Sequence, residues 1–272
     1  MAFLAMPQPF DFEHTTERFR VFGLDLANLW HEGGLHRVVG TREVRIEAAP
    51  GGVDVEPLDD ETRPVVRTLL GADFDLGAFA PADPILARLR MQLDGFRPPI
   101  APDPFEMLVG AITAQQISLF AAFAVRNRFV ERYGVRADHA YAFPTAERVA
   151  GLQQEDLTTL GYSRRKADYV LSLARSGLDF DSIAQLPDDE VKAALTVLPG
   201  IGEWTADWFL ARHLARPRAW PAGDLALRKV VSDFYGDGRP LTTEEVREIG
   251  ARFEPFQNLA AHYLLLGHRM PG

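Results

Sequence analysis

The chain has 272 residues, of which 47% are hydrophobic and 25% charged, with a net charge of −9 at pH 7, so it can bury one large or two modest cores. It has no Cys, which excludes disulfides, thiol catalysis and a cysteine-ligated iron–sulfur cluster, and no apolar run reaches the length of a membrane span. The acid is uneven: residues 1–80 carry 7 Arg or Lys against 14 Asp or Glu, and residues 81–272 carry 22 against 24, so the second part is far less hostile to a polyanion.

In chain order, MAFLAMPQPF lacks the positive start and cleavage site of a signal peptide, and residues 1–9 read as a loose arm. Residues 10–58 hold short β-like runs (RFRVFG, LHRVVG, TREVRIEAA, GGVDVEPL) broken by glycine-rich turns, which predicts an antiparallel sheet. LDLANLWHE, between the first two runs, reads as helical, and DDETRPVVRTLLG as a helix with Gly71 at its end. This segment shows no chemistry and reads as a structural buttress. PADPILARLRMQLDG is a helix starting after Asp83, with Ile85, Leu86, Leu89 and Leu93 on one face.

After the proline-rich RPPIAPDP, residues 104–134 are helical for most of their length and divide between residues 114 and 118, where two adjacent Gln would by themselves be ordinary surface residues. FPTAERVAG is a short helix capped by Thr145, and Ser163 caps a helix that begins with Arg164, Arg165 and Lys166. TTEEVREIGARF opens with the capping box Thr242 to Glu245, and PFQNLAAHYLLLGHRM closes the chain. The local basic clusters (Arg126, Arg128, Arg132 and Arg136; Arg164, Arg165 and Lys166; Arg212, Arg216 and Arg218) can each be a solvated helix face. The seven His show no ligand spacing and read as surface or core residues.

The most informative stretch is LPGIGEWTADWFLARHLARPRAWPAGD, residues 198–224. Val191, Ala194, Leu195 and Leu198 recur with helical spacing, so PDDEVKAALTVL is an amphipathic helix with acids at its positive end; Pro199 stops it. Gly200 and Gly202 permit left-handed angles and leave the amides at the start of the next helix uncovered, a geometry suited to a phosphate. That helix carries Trp204, Trp208 and Ala211 on one face, as core aromatics or as a pocket lining. Asp224, after the turn through Pro221 and Gly223, reads on its own as a helix N-cap.

LPGIGEWTA followed by PAGD resembles the helix-hairpin-helix and catalytic aspartate of the HhH-GPD DNA glycosylase superfamily, in particular its 3-methyladenine DNA glycosylase II (AlkA-type) branch, and the resemblance covers nearly the whole chain. It implies an α+β, mainly α fold: an N-terminal antiparallel sheet-and-helix domain at 1–80 against an all-α catalytic body at 81–272, with the hairpin at about 188–215. The activity implied is that of a monofunctional base-excision-repair enzyme. It flips an alkylated base of the 3-methyladenine or 7-methylguanine type out of double-stranded DNA and hydrolyses its N-glycosidic bond, with Asp224 as the catalytic carboxylate.

The resemblance further implies a base pocket lined by Trp204, Trp208, Leu225 and Leu265, with the two leucines standing where the best-known members have aromatics. Gln116 falls on the wedge position, typically leucine; Gly200, Ile201 and Gly202 hold a phosphate, and Arg164, Arg165 and Lys166 lie near the backbone. The carbonyls of Thr196, Leu198 and Gly200 correspond to those that bind a structural Na⁺ or K⁺; no catalytic cofactor and no iron–sulfur cluster are implied. Trp204 stands where strand-cutting members carry the Schiff-base lysine, so no AP-lyase activity is expected. The expected protein is a cytoplasmic monomer, at the nucleoid through DNA and apart from membranes. The competing reading is a catalytically silent helix-hairpin-helix protein that binds DNA lesions or structures; the retained Asp224 and Trp204 weigh against it.

Overall fold

A computed structural model describes residues 1–270. The N-terminal part contains β1 (Ala2–Ala5), α1 (Phe12–Thr16), α2 (Arg18–Val21), β2 (Leu29–His31), β3 (Gly34–Val39), β4 (Arg42–Ala49), β5 (Gly52–Glu56) and α3 (Thr62–Leu69). The rest is helical except for one small hairpin: α4 (Pro84–Gln92), α5 (Pro104–Ala114), α6 (Leu119–Tyr133), β6 (Val135–Arg136), β7 (Tyr141–Ala142), α7 (Ala146–Ala150), α8 (Gln154–Thr158), α9 (Arg164–Arg175), α10 (Phe180–Ala184), α11 (Asp188–Thr196), α12 (Glu203–Arg212), α13 (Leu225–Tyr235), α14 (Thr243–Ala251) and α15 (Gln257–Gly267). This is the α+β, mainly α architecture expected.

The five-stranded sheet runs β1-β5-β4-β3-β2, every neighbouring pair antiparallel. Its register aligns Leu35, Ile46 and Val55 in one row, all fully buried, because period-2 alternation turns one face of each strand to the core. Core residues from Leu4 to Ala72 form one cluster; a larger one runs from Phe74 to Leu266.

Three local expectations fail here, each for a physical reason. RFRVFG is not a strand: Asp11 caps α1 by accepting the His14 amide at 2.7 Å, and the helical path continues through Glu17 into α2, burying Phe19. LDLANLWHE is not a helix. The Asp25 carboxylate takes the amides of Ala27 and Asn28, a local turn that competes with helix, and Leu29–His31 then pairs with β3 across a tight turn whose central residues Glu32 and Gly33 both have positive φ. Residues 1–9 are not a loose arm throughout, because Ala2–Ala5 gains backbone partners as the edge strand on β5. Four residues are too few to show a period.

A buried ionic network joins the two parts. Glu106 on α5 accepts Arg37 of β3 at 2.7 Å and Arg126 of α6 at 2.6 Å; Arg126 also pairs with Asp25, and Arg37 donates to Asn28 at 2.7 Å. Burial pushes the Asp25 and Glu106 carboxyls up, but Arg126 with the Asn28 and Ala27 hydrogen bonds at Asp25, and Arg37 with Arg126 at Glu106, outweigh it, so both end below their ordinary range. Arg126, counted in a basic surface cluster from sequence, is therefore a structural ion.

Candidate active site

α11 and α12 are joined by a six-residue turn, 197–202, in which only Gly200 is left-handed, at φ 84°. A Cβ there would lie 2.1 Å from the Tyr169 ring of α9, so close approach and backbone angle both require glycine. Gly202, expected to need the same freedom, has an ordinary φ of −102° and open space where a Cβ would stand; it occupies the N-cap position of α12 without a side-chain cap. Among the described residues, neither the Gly200 nor the Gly202 amide has a backbone or side-chain acceptor, which leaves two unpaired N–H groups just before the positive end of α12. Ile201 between them is buried as an anchor.

The chain then returns so that Asp224 caps α13 beside the first turns of α12. Asp224 Oδ1 accepts the Leu227 amide at 2.8 Å, the N-cap bond read from sequence. Its Oδ2 accepts two indole N–H groups, from Trp204 at 2.7 Å and Trp208 at 3.0 Å. The two tryptophans, one turn apart on α12, are thus clamps on the carboxylate as well as apolar surface. Trp208 is only 4% exposed, and the Arg212 guanidinium lies 3.7 Å from its ring centroid, one further turn along the helix.

The edge of His262 on α15 packs against Trp208 at 5.8 Å between centroids. Its Nδ1 bonds the Asn258 carbonyl at 2.9 Å, whereas its buried Nε2 has no partner. Burial first, and the Arg212 cation second, lower its pKa to about 3, so it presents a neutral acceptor. Burial also pushes the Arg212 guanidinium down, with Arg18 and Arg269 adding to the effect and Asp224 opposing it. Sequence reading missed both residues in this role. The i,i+4 spacing of Arg212 from Trp208 was a usable signal, but it was masked by the surrounding arginines.

The structure brings Asp224, Trp204 and Trp208 into direct contact. Leu225 follows Asp224 but is 72% exposed at the rim; Leu265, one turn beyond His262, is 9% exposed. Gln116 sits exposed at the tip of the α5–α6 break with φ 58°, flanked by exposed Ile117, Leu119 and Phe120. Its neighbour Gln115 donates to the Gly200 carbonyl at 2.8 Å, tying this loop to the hairpin. Arg164 and Arg165 are exposed on the first turn of α9, and Arg165 donates to the Tyr169 hydroxyl. Lys166 instead donates to the Thr113 carbonyl at 2.8 Å and closes the end of α5. Of the carbonyls expected to bind a cation, Leu198 accepts the Ile201 amide at 3.1 Å and Gly200 accepts Gln115, so each retains one lone pair.

Known proteins resemble this chain in sequence and in fold. Residues 109–255 match the family described as HhH-GPD superfamily base excision DNA repair protein. The chain is 32% identical over 203 residues to a Bacillus subtilis DNA-3-methyladenine glycosylase, covering 71% of this chain and 67% of that one. A 3-methyladenine DNA glycosylase from Archaeoglobus fulgidus superposes with a TM-score of 0.88 at 27% identity, over 99% of both chains. A Schizosaccharomyces pombe 3-methyladenine DNA glycosylase in complex with abasic DNA gives a TM-score of 0.62 at 26% identity, over 72% of this chain and 96% of that one.

Proposed function

Because the chain belongs to the HhH-GPD superfamily of base excision DNA repair proteins, we propose that it is a monofunctional DNA-3-methyladenine glycosylase that hydrolyses the N-glycosidic bond of alkylated bases flipped out of duplex DNA. The observation that carries this reading is the Asp224 carboxylate held by two indole N–H groups and one amide at the mouth of the hairpin. As the C1′–N bond breaks, the base leaves with the bonding electrons and positive charge develops on the deoxyribose. A fixed carboxylate stabilises that charge without reorganising, and can take a proton from the water whose oxygen bonds to C1′. The product is an abasic site. Trp204, half-buried beside Asp224, supplies apolar, electron-rich surface for the extruded base, while Trp208, buried under Arg212, backs the pocket and holds the carboxylate.

The hairpin amides of Gly200 and Gly202 hold a phosphate beside the lesion, Arg164 and Arg165 lie along the backbone, and Gln116 fills the vacated stack. A Na⁺ or K⁺ on the carbonyls of Thr196, Leu198 and Gly200 would rigidify the turn. Hydrolysis without strand cleavage is supported by the lysines: Lys166 is held by Thr113, Lys192 pairs with Asp207 and Lys229 with Asp233, so all three are engaged away from Asp224. The protein acts as a monomer.

The test is release of free purines from methylating-agent-treated duplex DNA by wild type and Asp224→Asn. Release of 3-methyladenine or 7-methylguanine by wild type, reduced by orders of magnitude in the variant with DNA binding retained, is the expected result. Duplex binding with no release by either protein would instead favour the silent scaffold.

A further inference from the structure

Away from Asp224, the sheet meets the β6–β7 turn of the helical body at a cluster of three imidazoles and a carboxylate. His36 on β3 and His139 in the turn both direct Nδ1 at the same oxygen of Glu43 on β4, at 2.6 and 3.2 Å, and the donor atoms of the three side chains lie within 4.8 Å of one another. The other Glu43 oxygen accepts the amides of His139 and Ala140 at 2.6 and 2.7 Å, which fixes the orientation of the carboxylate. The His36 and Glu43 side chains are 5% and 6% exposed and that of His139 is 52% exposed, so the cluster is walled on one side and open on the other. His31 stacks on His139 at 4.6 Å between centroids and meets His36 edge-on at 5.6 Å. The buried Nε2 of His36 has no partner, so the only bonded polar atom of that ring points into the cluster.

We propose that His36, Glu43 and His139 form a binding site for a divalent transition ion of the Zn²⁺ class, which staples the N-terminal sheet to the helical body. Two imidazoles and one carboxylate without a thiol suit Zn²⁺ and its neighbours, whereas Mg²⁺ and Ca²⁺ prefer oxygen-only sets. Three protein ligands with one open side match a tetrahedral ion that keeps a water. Bonds of the usual Zn–N and Zn–O length separate tetrahedral ligand atoms by about 3.3 Å; the His139 contact already has that spacing, and the His36 contact has to open by less than about 1 Å. Binding replaces the two imidazole–Glu43 hydrogen bonds, with each neutral imidazole donating its Nδ1 lone pair to the ion and carrying its proton on Nε2. The backbone amides on the far Glu43 oxygen serve as the outer partners that hold a ligating carboxylate in place.

The full chain without a purification tag, stripped with EDTA, would be titrated with zinc sulfate by calorimetry and melted with and without the ion. One Zn²⁺ per chain is expected, with a higher melting temperature, weaker binding at pH 5.5 than at 7.5, and no such effect from Mg²⁺. His139→Ala, at a half-exposed position that leaves the fold intact, should lose more than about tenfold in affinity together with the thermal shift. Absence of saturable binding at micromolar zinc, or unchanged binding by His139→Ala, would overturn the proposal and leave a hydrogen-bonded cluster only.

Discussion

Asp224 shows how one residue can satisfy two sequence readings at once. As an acid after a turn it is an N-cap, and within PAGD it resembles a catalytic carboxylate; its two oxygens divide these tasks, Oδ1 to the Leu227 amide and Oδ2 to the indoles. The indole bonds could not be read from the sequence, because the spacing of Trp204 and Trp208 reports a shared helix face but not that this face meets the end of another helix. His262 was equally hidden, since its partner surface comes from α12, some fifty residues earlier in the chain. Trp204→Phe keeps the ring surface and removes one donor to the carboxylate. A hydrogen bond to a charged group contributes about 1.5–3 kcal/mol, so single-turnover base release should fall roughly tenfold to a hundredfold. Unchanged release would separate that donor from the chemistry.

At the scale of elements, the parts with strong end signals were legible: Asp83, Thr145, Ser163 and the Thr242–Glu245 box each cap the helix expected of them. The break between α5 and α6 also falls where expected, with Ser118 capping the second helix. Short segments were not legible, because α2 and β1 take their conformation from neighbours rather than from a period of their own. The hairpin was recognised, but its two glycines looked equivalent. Only Gly200 carries a positive φ and abuts Tyr169. Gly200→Ala should therefore destabilise the protein, by about 1–2 kcal/mol for the left-handed angle and further for displacement of the Tyr169 ring, whereas Gly202→Ala should stay within about 1 kcal/mol of wild type. Urea unfolding of the two variants checks the contrast, and equal stability would remove the steric argument.

Across the whole molecule, the division between a sheet-bearing segment and a helical body was readable from the change of hydrophobic period, but what joins them was not. Arg37, Glu106 and Arg126 are far apart in sequence and look like ordinary charged residues until the fold buries them together. Glu106→Gln leaves two buried guanidinium groups without their shared anion and should cost about 3–5 kcal/mol at pH 7. The same network sets an acid limit. The Glu106 and Asp25 carboxyls titrate lower in the folded protein than in the unfolded chain, so the stabilisation they carry is complete above the unfolded carboxyl range, near pH 4, and is lost as pH falls through their folded values. Wild type should lose stability steeply below about pH 4, and Glu106→Gln less steeply because Asp25 alone then titrates, so the gap between the two proteins narrows as pH falls. Urea midpoints measured from pH 7 to pH 3 test this directly; a gap that stays constant with pH would show that the joint between sheet and body does not depend on the charge of Glu106.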